Sequence, residues 1–244
     1  GRLLMKEEVV AKGIVLKVLP YKENDCILTI YFEEYGKLSV IAAGLRKPKS
    51  KNASACQPLM YSEFTLFLRQ GLSRLIRAVA LDEFRYLHEN LQSTACATFI
   101  AEYFYRGIEE NQPNLKHSDF IMQAFQRLNE GYPPLLVYLF AIAFILKDCG
   151  SAMMVDHCVF CDDTHQIVSL SIVDGGFVCL AHVKEKDPFY APSVLRVIRY
   201  VNRLGIDEID VIDTDEGTLV TCREIMENFL EEYCPIRLAS KKFI

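Results

Sequence analysis

Four residues with metal-ligating side chains occur in two closely spaced pairs. Cys158 and Cys161 form a C-x2-C pair, and Cys179 and His182 form a C-x2-H pair that follows after seventeen residues. Each short pair can turn two ligands toward one ion, as structural zinc sites do. The protein would then fill all four coordination positions, so the sequence predicts a Zn2+ ion that stabilises the fold and takes no part in catalysis.

Two alternatives to this ligand set stay open. The cysteines could be reduced thiols that pack as small hydrophobic side chains. His157 and Cys149 lie near the pairs, but the backbone makes joint ligation by the adjacent His157 and Cys158 awkward. We therefore expect His157 in a supporting or solvent-facing position, and Cys149, at the end of an apolar run, as a buried thiol.

The segment between the two pairs has the pattern of a β-hairpin. Residues 166–172 predict one strand, Asp174-Gly-Gly176 predicts a tight turn, and residues 177–179 begin the return strand. A hairpin over residues 156–183 would bring the second ligand pair back to the first.

The composition is that of a folded protein from a reducing compartment. Of the 244 residues, 51% are hydrophobic and 24% are charged, which is enough to build one or two cores. Nine cysteines are an odd number, and five of them lack disulfide-framework spacing, which favours a cytoplasmic location. These five are Cys26, Cys56, Cys96, Cys222 and Cys234.

The longest apolar run covers residues 134–146 and is thirteen residues long. A membrane-spanning helix requires about twenty residues. The run therefore predicts a buried helix, and we expect no membrane partner.

Charge is unevenly distributed along the chain, whose net charge is −5. Residues 1–80 contain thirteen Lys or Arg against seven Asp or Glu, whereas residues 81–244 contain fourteen against twenty-five. Because cations that neutralise phosphates release condensed counterions, a basic region favours binding to nucleic acid. The asymmetry predicts a polyanion-binding amino-terminal domain and an acidic carboxyl-terminal domain.

Five segments of the amino-terminal third predict short β-strands, because they are rich in apolar and β-branched residues and are separated by turn signals. They cover residues 11–19, 25–32, 36–43, 58–68 and 72–81. Five strands with one long connection are typical of an OB-fold barrel, which commonly binds a single nucleic-acid strand. We therefore predict an OB-fold domain over residues 5–80.

The long connection between the third and fourth strands is strongly basic. It contains four cations within six residues, namely Arg46, Lys47, Lys49 and Lys51. Pro48 and Ser50 disfavour a regular helix, so the loop could follow a curved phosphate backbone without sequence preference. A solvated mobile loop is the alternative for an isolated basic run, whereas the barrel and the regional charge favour binding.

Three arginines near the last predicted hairpin extend this candidate surface: Arg69, Arg74 and Arg77. Arg74 and Arg77 are three apart, and a regular strand would turn them to opposite faces. Tyr21, Tyr35 and Lys37 are weaker candidates; most barrel aromatics are expected in the core, but one or two rings could stack on bases.

A second basic cluster stands at the carboxyl end and consists of Arg237, Lys241 and Lys242, which are also weaker candidates for DNA contact. The alternative is a charged chain end that is only solvated.

Beyond residue 81 the apolar spacing becomes typical of helices. Helices are predicted over residues 91–110, 118–129, 134–150, 193–204 and 215–233, with Ser118 as the cap of the second. The fold class is therefore α+β and multidomain: an OB-fold barrel, then a helical domain over residues 81–244 with an inserted zinc-ribbon hairpin.

Enzyme motifs that could accompany these features are missing. The chain has no H-x-E, which a zinc-dependent nucleic-acid deaminase needs. It also lacks a phosphate-binding G-x-x-x-x-G-K, and His88-Glu89 is followed by Gln92 where a metalloprotease has its second histidine. We predict no enzymatic activity.

Several segments, in their order and spacing, resemble the RecO family of bacterial recombination-mediator proteins. They are Lys12-Gly-Ile-Val-Leu-Lys17, Tyr21-Lys-Glu-Asn-Asp25, Tyr35-Gly-Lys-Leu-Ser39, Gly44-Leu-Arg-Lys-Pro-Lys-Ser50, Gln57-Pro58, the cysteine hairpin with Asp174-Gly-Gly176, and Arg237-Leu-Ala-Ser-Lys-Lys-Phe243. Zinc-bearing members usually have cysteine at the fourth ligand position, where this chain has His182, a residue that also coordinates zinc.

The resemblance implies DNA repair and recombination in the RecFOR pathway. It implies a barrel that binds single- and double-stranded DNA, annealing of complementary strands, and help in loading RecA recombinase onto strands coated by single-strand-binding protein. The implied partners are RecR, the carboxyl-terminal tail of single-strand-binding protein and, indirectly, the RecA filament, at the nucleoid in the bacterial cytoplasm. The alternative class is a zinc-stabilised protein-protein adaptor, in which the barrel is only a scaffold.

Overall fold

Five β-strands form a closed barrel in which the strand order is β1-β2-β3-β5-β4. In the computed structural model, which describes residues 7–244, they are β1 (Glu7–Tyr21), β2 (Asp25–Phe32), β3 (Gly36–Ala42), β4 (Tyr61–Leu68) and β5 (Ser73–Asp82). Neighbouring strands are antiparallel except for β3 and β5, which are parallel. The predicted fold class, a five-stranded barrel of OB type followed by helices, is confirmed; residues 5 and 6 of the predicted barrel domain lie outside the described residues.

The long strand β1 pairs with two neighbours, with β4 through its first half and with β2 through its second. At Gly13 a Cβ atom would lie 2.7 Å from the carbonyl oxygen of Tyr31, so this close approach of strands requires glycine. A register shift between Val15 and Lys17 follows. Such a bulge bends a strand and allows β1 to curve around the barrel.

Apolar side chains from alternate positions fill the barrel. In β4 every second residue from Ser62 to Leu68 is buried. Phe32 and Phe64 meet edge to face, with ring centroids 5.7 Å apart, which is a favoured aromatic geometry. Burying one such side chain contributes about 1.5–3 kcal/mol, so these alternating positions hold the barrel together.

Three helices follow the barrel: α1 (Arg85–Glu89), α2 (Leu91–Gly107) and α3 (Leu115–Asn129). Together with the barrel and the carboxyl-terminal segment Leu238–Ile244, they form the first of two compact units, which extends to Gly131. The segment includes a short 3-10 helix, Ala239–Phe243.

The start of α3 differs from the prediction. The helix begins at Leu115, and the side-chain oxygen of Asn114 accepts a hydrogen bond from the N–H of Lys116 at 2.9 Å. Asn is as good a cap as Ser, and it precedes the first turn here. Ser118 lies inside the helix, so its prediction as the cap is wrong.

The second compact unit is Tyr132–Arg237. Its helices are α4 (Pro134–Asp148), α5 (Pro192–Arg203) and α6 (Glu216–Tyr233), with a 3-10 helix at Ile206–Val211, and its hairpin consists of β6 (Ile167–Ser171) and β7 (Gly176–Cys179). Asp215 caps α6, because its carboxylate accepts a hydrogen bond from the N–H of Thr218 at 2.9 Å.

Helix α4 contains the long apolar run, and most of its residues are buried, as predicted. Its first residue, Pro134, suits a helix start. A backbone N–H at this position would have no acceptor within the helix, so proline, which lacks an N–H, loses no hydrogen bond there. Gly150 follows the helix end with φ 76°, a conformation common just beyond a helix.

Within residues 7–244, no helix combines the length and apolar character that crossing a membrane requires.

Candidate metal centre and nucleic-acid interface

The four predicted ligand side chains come together in the second unit. Sγ of Cys158, Cys161 and Cys179 and a ring nitrogen of His182 all lie within 4.8 Å of one another. Sγ of Cys161 and Cys179 are 3.8 Å apart, and Nδ1 of His182 lies 3.2 Å from Sγ of Cys179 and 3.9 Å from Sγ of Cys158. Tetrahedral zinc, with Zn–S bonds of about 2.3 Å, places sulfurs about 3.8 Å apart, so the arrangement fits such an ion.

Short backbone turns aim the ligands. The N–H of Cys161 donates to the carbonyl oxygen of Cys158 at 3.3 Å, and the N–H of His182 donates to that of Cys179 at 3.0 Å. These bonds close the C-x2-C and C-x2-H turns, so both side chains of each pair point the same way. Antiparallel pairing of β6 with β7 then returns the second pair to the first.

The hairpin is also attached to the segment that precedes it. The N–H of Met154 donates to the carbonyl oxygen of Gly175, and the N–H of Phe177 donates to the carbonyl oxygen of Met154, both at 2.9 Å. A Cβ atom at Gly176 would collide with that Met154 oxygen. The Asp174-Gly-Gly176 turn therefore needs glycine for packing as well as for the turn itself.

The electrostatic surroundings favour the metal-binding form of Cys158. The N–H groups of Phe160 and Cys179 both donate to its Sγ, at 3.4 Å. Burial of the thiol opposes ionisation, but the hydrogen bonds outweigh it and lower the pKa of Cys158. Because the thiolate is the ligating species, this cluster could hold a metal ion.

His157 and Cys149 are not members of the cluster. Nδ1 of His157 lies 2.7 Å from the carbonyl oxygen of Cys158 and 3.1 Å from that of Cys161, to which it can donate. The hydrogen bond to the Cys158 carbonyl raises the pKa of His157, in the supporting position that was expected. Cys149 follows the end of α4 and is half-exposed, so its prediction as a buried thiol is wrong.

In the first unit, the backbone of the basic loop, residues 44–52, is held at its start by the turn between β1 and β2. The N–H of Gly44 donates to the carboxylate of Asp25 at 2.8 Å. The N–H of Arg46 donates to the carbonyl oxygen of Asn24 at 2.9 Å. These bonds fix the course of the loop where its cations begin.

The other end of the basic loop is held by β5 and by a buried 3-10 turn. The side-chain oxygen of Asn52 accepts a hydrogen bond from the N–H of Ala78 at 3.0 Å. The 3-10 helix Ser54–Cys56 follows, and the hydroxyl of Ser62 donates to the carbonyl oxygen of Ala55 at 2.6 Å. Sequence patterns did not identify Asp25 and Asn52 as anchors, although Asp and Asn commonly form such loop hydrogen bonds.

All four cations of the basic loop are exposed: Arg46, Lys47, Lys49 and Lys51. Lys22, which was not among the candidates, is exposed in the turn to which the loop is hydrogen-bonded. A hydrogen-bonded backbone that presents like charges to solvent is suited to binding a polyanion. The four charges are accessible to phosphates. Because the backbone is already ordered, binding requires little further ordering of the loop.

Arg74 and Arg77 are both exposed although they are three residues apart. The pairing of β4 with β5 shifts register between Thr65 and Leu66, which leaves Ile76 as an extra residue in β5. A bulge of this kind interrupts the alternation of faces. Both arginines can therefore point outward, which a regular strand would not allow.

The remaining barrel candidates differ in their accessibility. Arg69 is exposed, and its guanidinium lies 5.5 Å from the ring centroid of Phe67. Tyr21 is 38% exposed, and Nζ of Lys22 lies 5.3 Å from the centroid of its ring. Tyr35 is half-buried and packs against the barrel core.

Lys37 is buried, with 6% of its surface exposed. Its ammonium donates to the carbonyl oxygen of Tyr105, at the end of α2, at 2.7 Å. Burial lowers the pKa of Lys37. The ammonium of Lys37 therefore makes its hydrogen bond inside the first unit and is not presented to a phosphate backbone.

The basic candidates near the carboxyl end differ in their exposure to solvent. Arg237 and Lys242 are exposed, and Lys241 is half-buried. The adjoining residues are held by the carboxylate of Glu102, which accepts hydrogen bonds from the N–H groups of Ala239 and Ser240 at 2.9 Å each. The hydroxyl of Ser240 also donates to it.

Two family models match the chain and together cover nearly all of it. "Recombination protein O N terminal" matches residues 5–84, and "Recombination protein O C terminal" matches residues 88–242. A five-stranded barrel, a helical region and a Cys3His cluster thus occur here in a protein of the DNA-repair class.

Several similar proteins carry the name "DNA repair protein RecO". Those of Bacillus subtilis (strain 168) and Bacillus velezensis are 30% and 31% identical over 236 residues, which are 96% of this chain and 92% of each relative. That of Bacillus pumilus is 29% identical over 245 residues, covering 99% of this chain and 94% of the relative. The chain belongs to the RecO family of DNA repair proteins.

Proposed function

We propose that this protein is a recombination mediator that binds single- and double-stranded DNA, anneals complementary strands and helps to load RecA recombinase onto strands coated by single-strand-binding protein. The observation that carries the proposal is the basic loop, whose four cations are exposed on a backbone anchored at both ends. Membership of the RecO family supports it.

The proposed DNA-binding surface lies in the predicted barrel domain, residues 5–80. Its core is the basic loop with Arg69, Arg74 and Arg77, and Tyr21, Tyr35, Arg237, Lys241 and Lys242 are further candidates. Lys37 is left out because it is buried. Residues 81–244 would then form a second functional domain that carries the hairpin.

Annealing by such a surface requires no bond to be made or broken. Cations that contact two phosphate backbones lower their mutual repulsion and release counterions. Base pairing then supplies the free energy of the product duplex. We therefore propose a protein without enzymatic activity.

The metal proposed for the Cys3His cluster is Zn2+, with a structural role. Three thiolates and one imidazole suit this ion, and four protein ligands leave no position for a substrate. When bound, the ion would supply the hairpin with cross-links. The ligands Cys158, Cys161, Cys179 and His182 would hold the two turns together.

The proposed partners are RecR and the carboxyl-terminal tail of single-strand-binding protein, with the RecA filament contacted indirectly. The proposed location is the bacterial cytoplasm at the nucleoid. These assignments rest on family membership.

The test is charge reversal of the whole basic loop, Arg46→Glu, Lys47→Glu, Lys49→Glu and Lys51→Glu, in the full chain. Binding and annealing of complementary oligonucleotides are measured across a salt series. If the four cations contact phosphates, the slope of log K against log salt for single strands should become shallower by about 3.

The matched control reverses four exposed cations elsewhere, Arg85, Lys116, Lys186 and Arg196, and thus gives the same net charge. We expect the control to retain most of the salt slope. Equal slopes in both variants would place the DNA contacts elsewhere, and absence of both DNA binding and annealing by the unmodified protein at low salt would favour the adaptor function.

A further inference from the structure

Two thiols outside the metal cluster lie side by side in the second unit. Sγ of Cys149 is 4.0 Å from Sγ of Cys234, although 85 positions separate the two residues in sequence. Cys149 caps the carboxyl end of α4 and Cys234 that of α6, where their N–H groups donate to the carbonyl oxygens of Ile145 and Leu230, both at 2.9 Å.

These two thiols are also half-exposed, unlike the other cysteines outside the metal cluster. Cys26, Cys56, Cys96 and Cys222 are buried. Burial raises the pKa of Cys56 and of Cys222 to about 12 in each case, which suppresses the reactive thiolate. Access and a neighbouring thiol are therefore combined at one place, the ends of α4 and α6.

We propose that Cys149 and Cys234 form a reactive dithiol site that a peroxide converts into an intramolecular disulfide. One thiolate attacks a peroxide oxygen, which breaks the O–O bond and yields a sulfenic acid and hydroxide. The second thiolate attacks the sulfenic sulfur, forms the S–S bond and releases a second hydroxide. The two protons given up by the thiols convert both hydroxides to water.

Closing the site requires the sulfurs to approach by about 2 Å, because a disulfide bond is about 2.05 Å long. Both cysteines end a helix, and each is followed by a residue that does not continue it, Gly150 with φ 76° and Pro235. Rotation of the two side chains between staggered positions moves the sulfurs without breaking a backbone hydrogen bond.

The disulfide would enclose the metal hairpin. The chain between Cys149 and Cys234 includes the whole segment from Cys158 to His182 and also α5. Cross-linking so long a segment restricts the unfolded chain, so oxidation should stabilise the second unit. In a reducing compartment such a bond would be transient and would be reversed by thiols.

The experiment treats the full-length, metal-loaded protein with hydrogen peroxide, blocks the remaining thiols by alkylation and digests it with trypsin and an aspartate-specific protease. Cleavage before Asp148 and Asp156 isolates Cys149 from the hairpin cysteines, and cleavage after Arg223 and Arg237 isolates Cys234. We expect a cross-linked pair of these two peptides that is lost on reduction, and a thermal unfolding midpoint raised by several degrees.

Cys234→Ser should abolish both the cross-linked pair and the stabilisation, whereas the matched control Cys222→Ser, which alters a buried thiol, should retain the cross-link. The peptide map of the unmodified protein remains decisive even if a variant fails to fold. Alkylation of both Cys149 and Cys234 after peroxide treatment, or pairing of either with a hairpin cysteine instead, would overturn the proposal.

Discussion

The basic loop and the metal hairpin both present four polar side chains, but they are stabilised in opposite ways. In the basic loop, hydrogen bonds to Asp25, Asn24 and Asn52 fix the chain, and the four cations project into solvent. In the hairpin, the four ligand atoms themselves converge within 4.8 Å. A loop held by backbone hydrogen bonds can use its side chains for a partner, whereas the hairpin would depend on an ion held by its converging side chains.

The largest expected effect is on the hairpin. Cys158→Ser removes a buried ligand whose Sγ also accepts two backbone hydrogen bonds. Because metal binding is coupled to folding, we expect loss of the bound metal and destabilisation by about 3 kcal/mol or more. Metal analysis and thermal unfolding measure the two losses. Cys234→Ser, which alters a cysteine outside the cluster, should keep its metal; equal loss in both variants would contradict the assignment.

A smaller effect is expected from releasing the basic loop. Asp25→Ala removes the acceptor of the Gly44 N–H and should cost about 1.5–3 kcal/mol of stability, as for other hydrogen bonds to charged groups. DNA affinity should fall because the loop must be ordered on binding, but the salt slope should stay the same because every cation remains.

Oligonucleotide titrations across a salt series separate these two quantities. Gln57→Ala, which removes an exposed side-chain hydrogen bond to Ala53, is the matched control and should change neither. A shallower salt slope for Asp25→Ala would show that loss of this hydrogen bond also removes contacts between the loop cations and phosphates.

The carboxyl-terminal segment is a third case, held by one carboxylate. Burial by itself would raise the pKa of Glu102, but hydrogen bonds from Ser240 and Ala239 and the charge of Arg106 outweigh it and lower the pKa. A lowered pKa stabilises the fold above the unfolded value of about 4.3, and this contribution is lost as pH falls through the folded pKa.

Glu102→Gln should therefore destabilise the protein by about 1–2 kcal/mol at neutral pH, with the difference shrinking in acid. Thermal unfolding of both proteins between neutral pH and pH of about 3 measures it. The exposed Glu89→Gln serves as control. A difference that does not depend on pH would rule out the carboxylate charge as its source.

The smallest effect is expected at the fourth ligand. His182→Cys replaces one good zinc ligand by another, so metal content should be unchanged and stability should change by less than about 1 kcal/mol. His182→Ala should weaken metal retention during competition with a chelator. Unchanged retention in both variants would show that this position does not bind the ion.

Local patterns predicted much of both regions. Strand-like segments separated by turn signals located the five strands, and the C-x2-C and C-x2-H spacing identified four side chains that the fold brings together. Both signals are carried by residues close in sequence, and short turns convert spacing directly into geometry. The prediction of α3 failed at its start because Asn114 and Ser118 are both good caps and only the structure distinguishes them.

Other features depend on contacts that no local pattern contains. The outward direction of Arg77 follows from the bulge at Ile76, which exists only in the pairing with β4. The burial of Lys37 requires the carbonyl of Tyr105, 68 positions away. The adjacency of Cys149 and Cys234 arises in the same way, from helices that pack at long sequence separation.

The contact between Glu102 and Ala239 joins residues 137 positions apart. During synthesis the barrel and α1 to α3 leave the ribosome long before residues 238–244. The first unit can therefore be completed only after the whole second unit has been translated. The nascent barrel can be native-like by then, but the carboxylate of Glu102 can accept the hydrogen bonds of Ala239 and Ser240 only after residues 238–244 have been translated. Assembly order is thus set by the route of the chain, independently of how stable each part becomes.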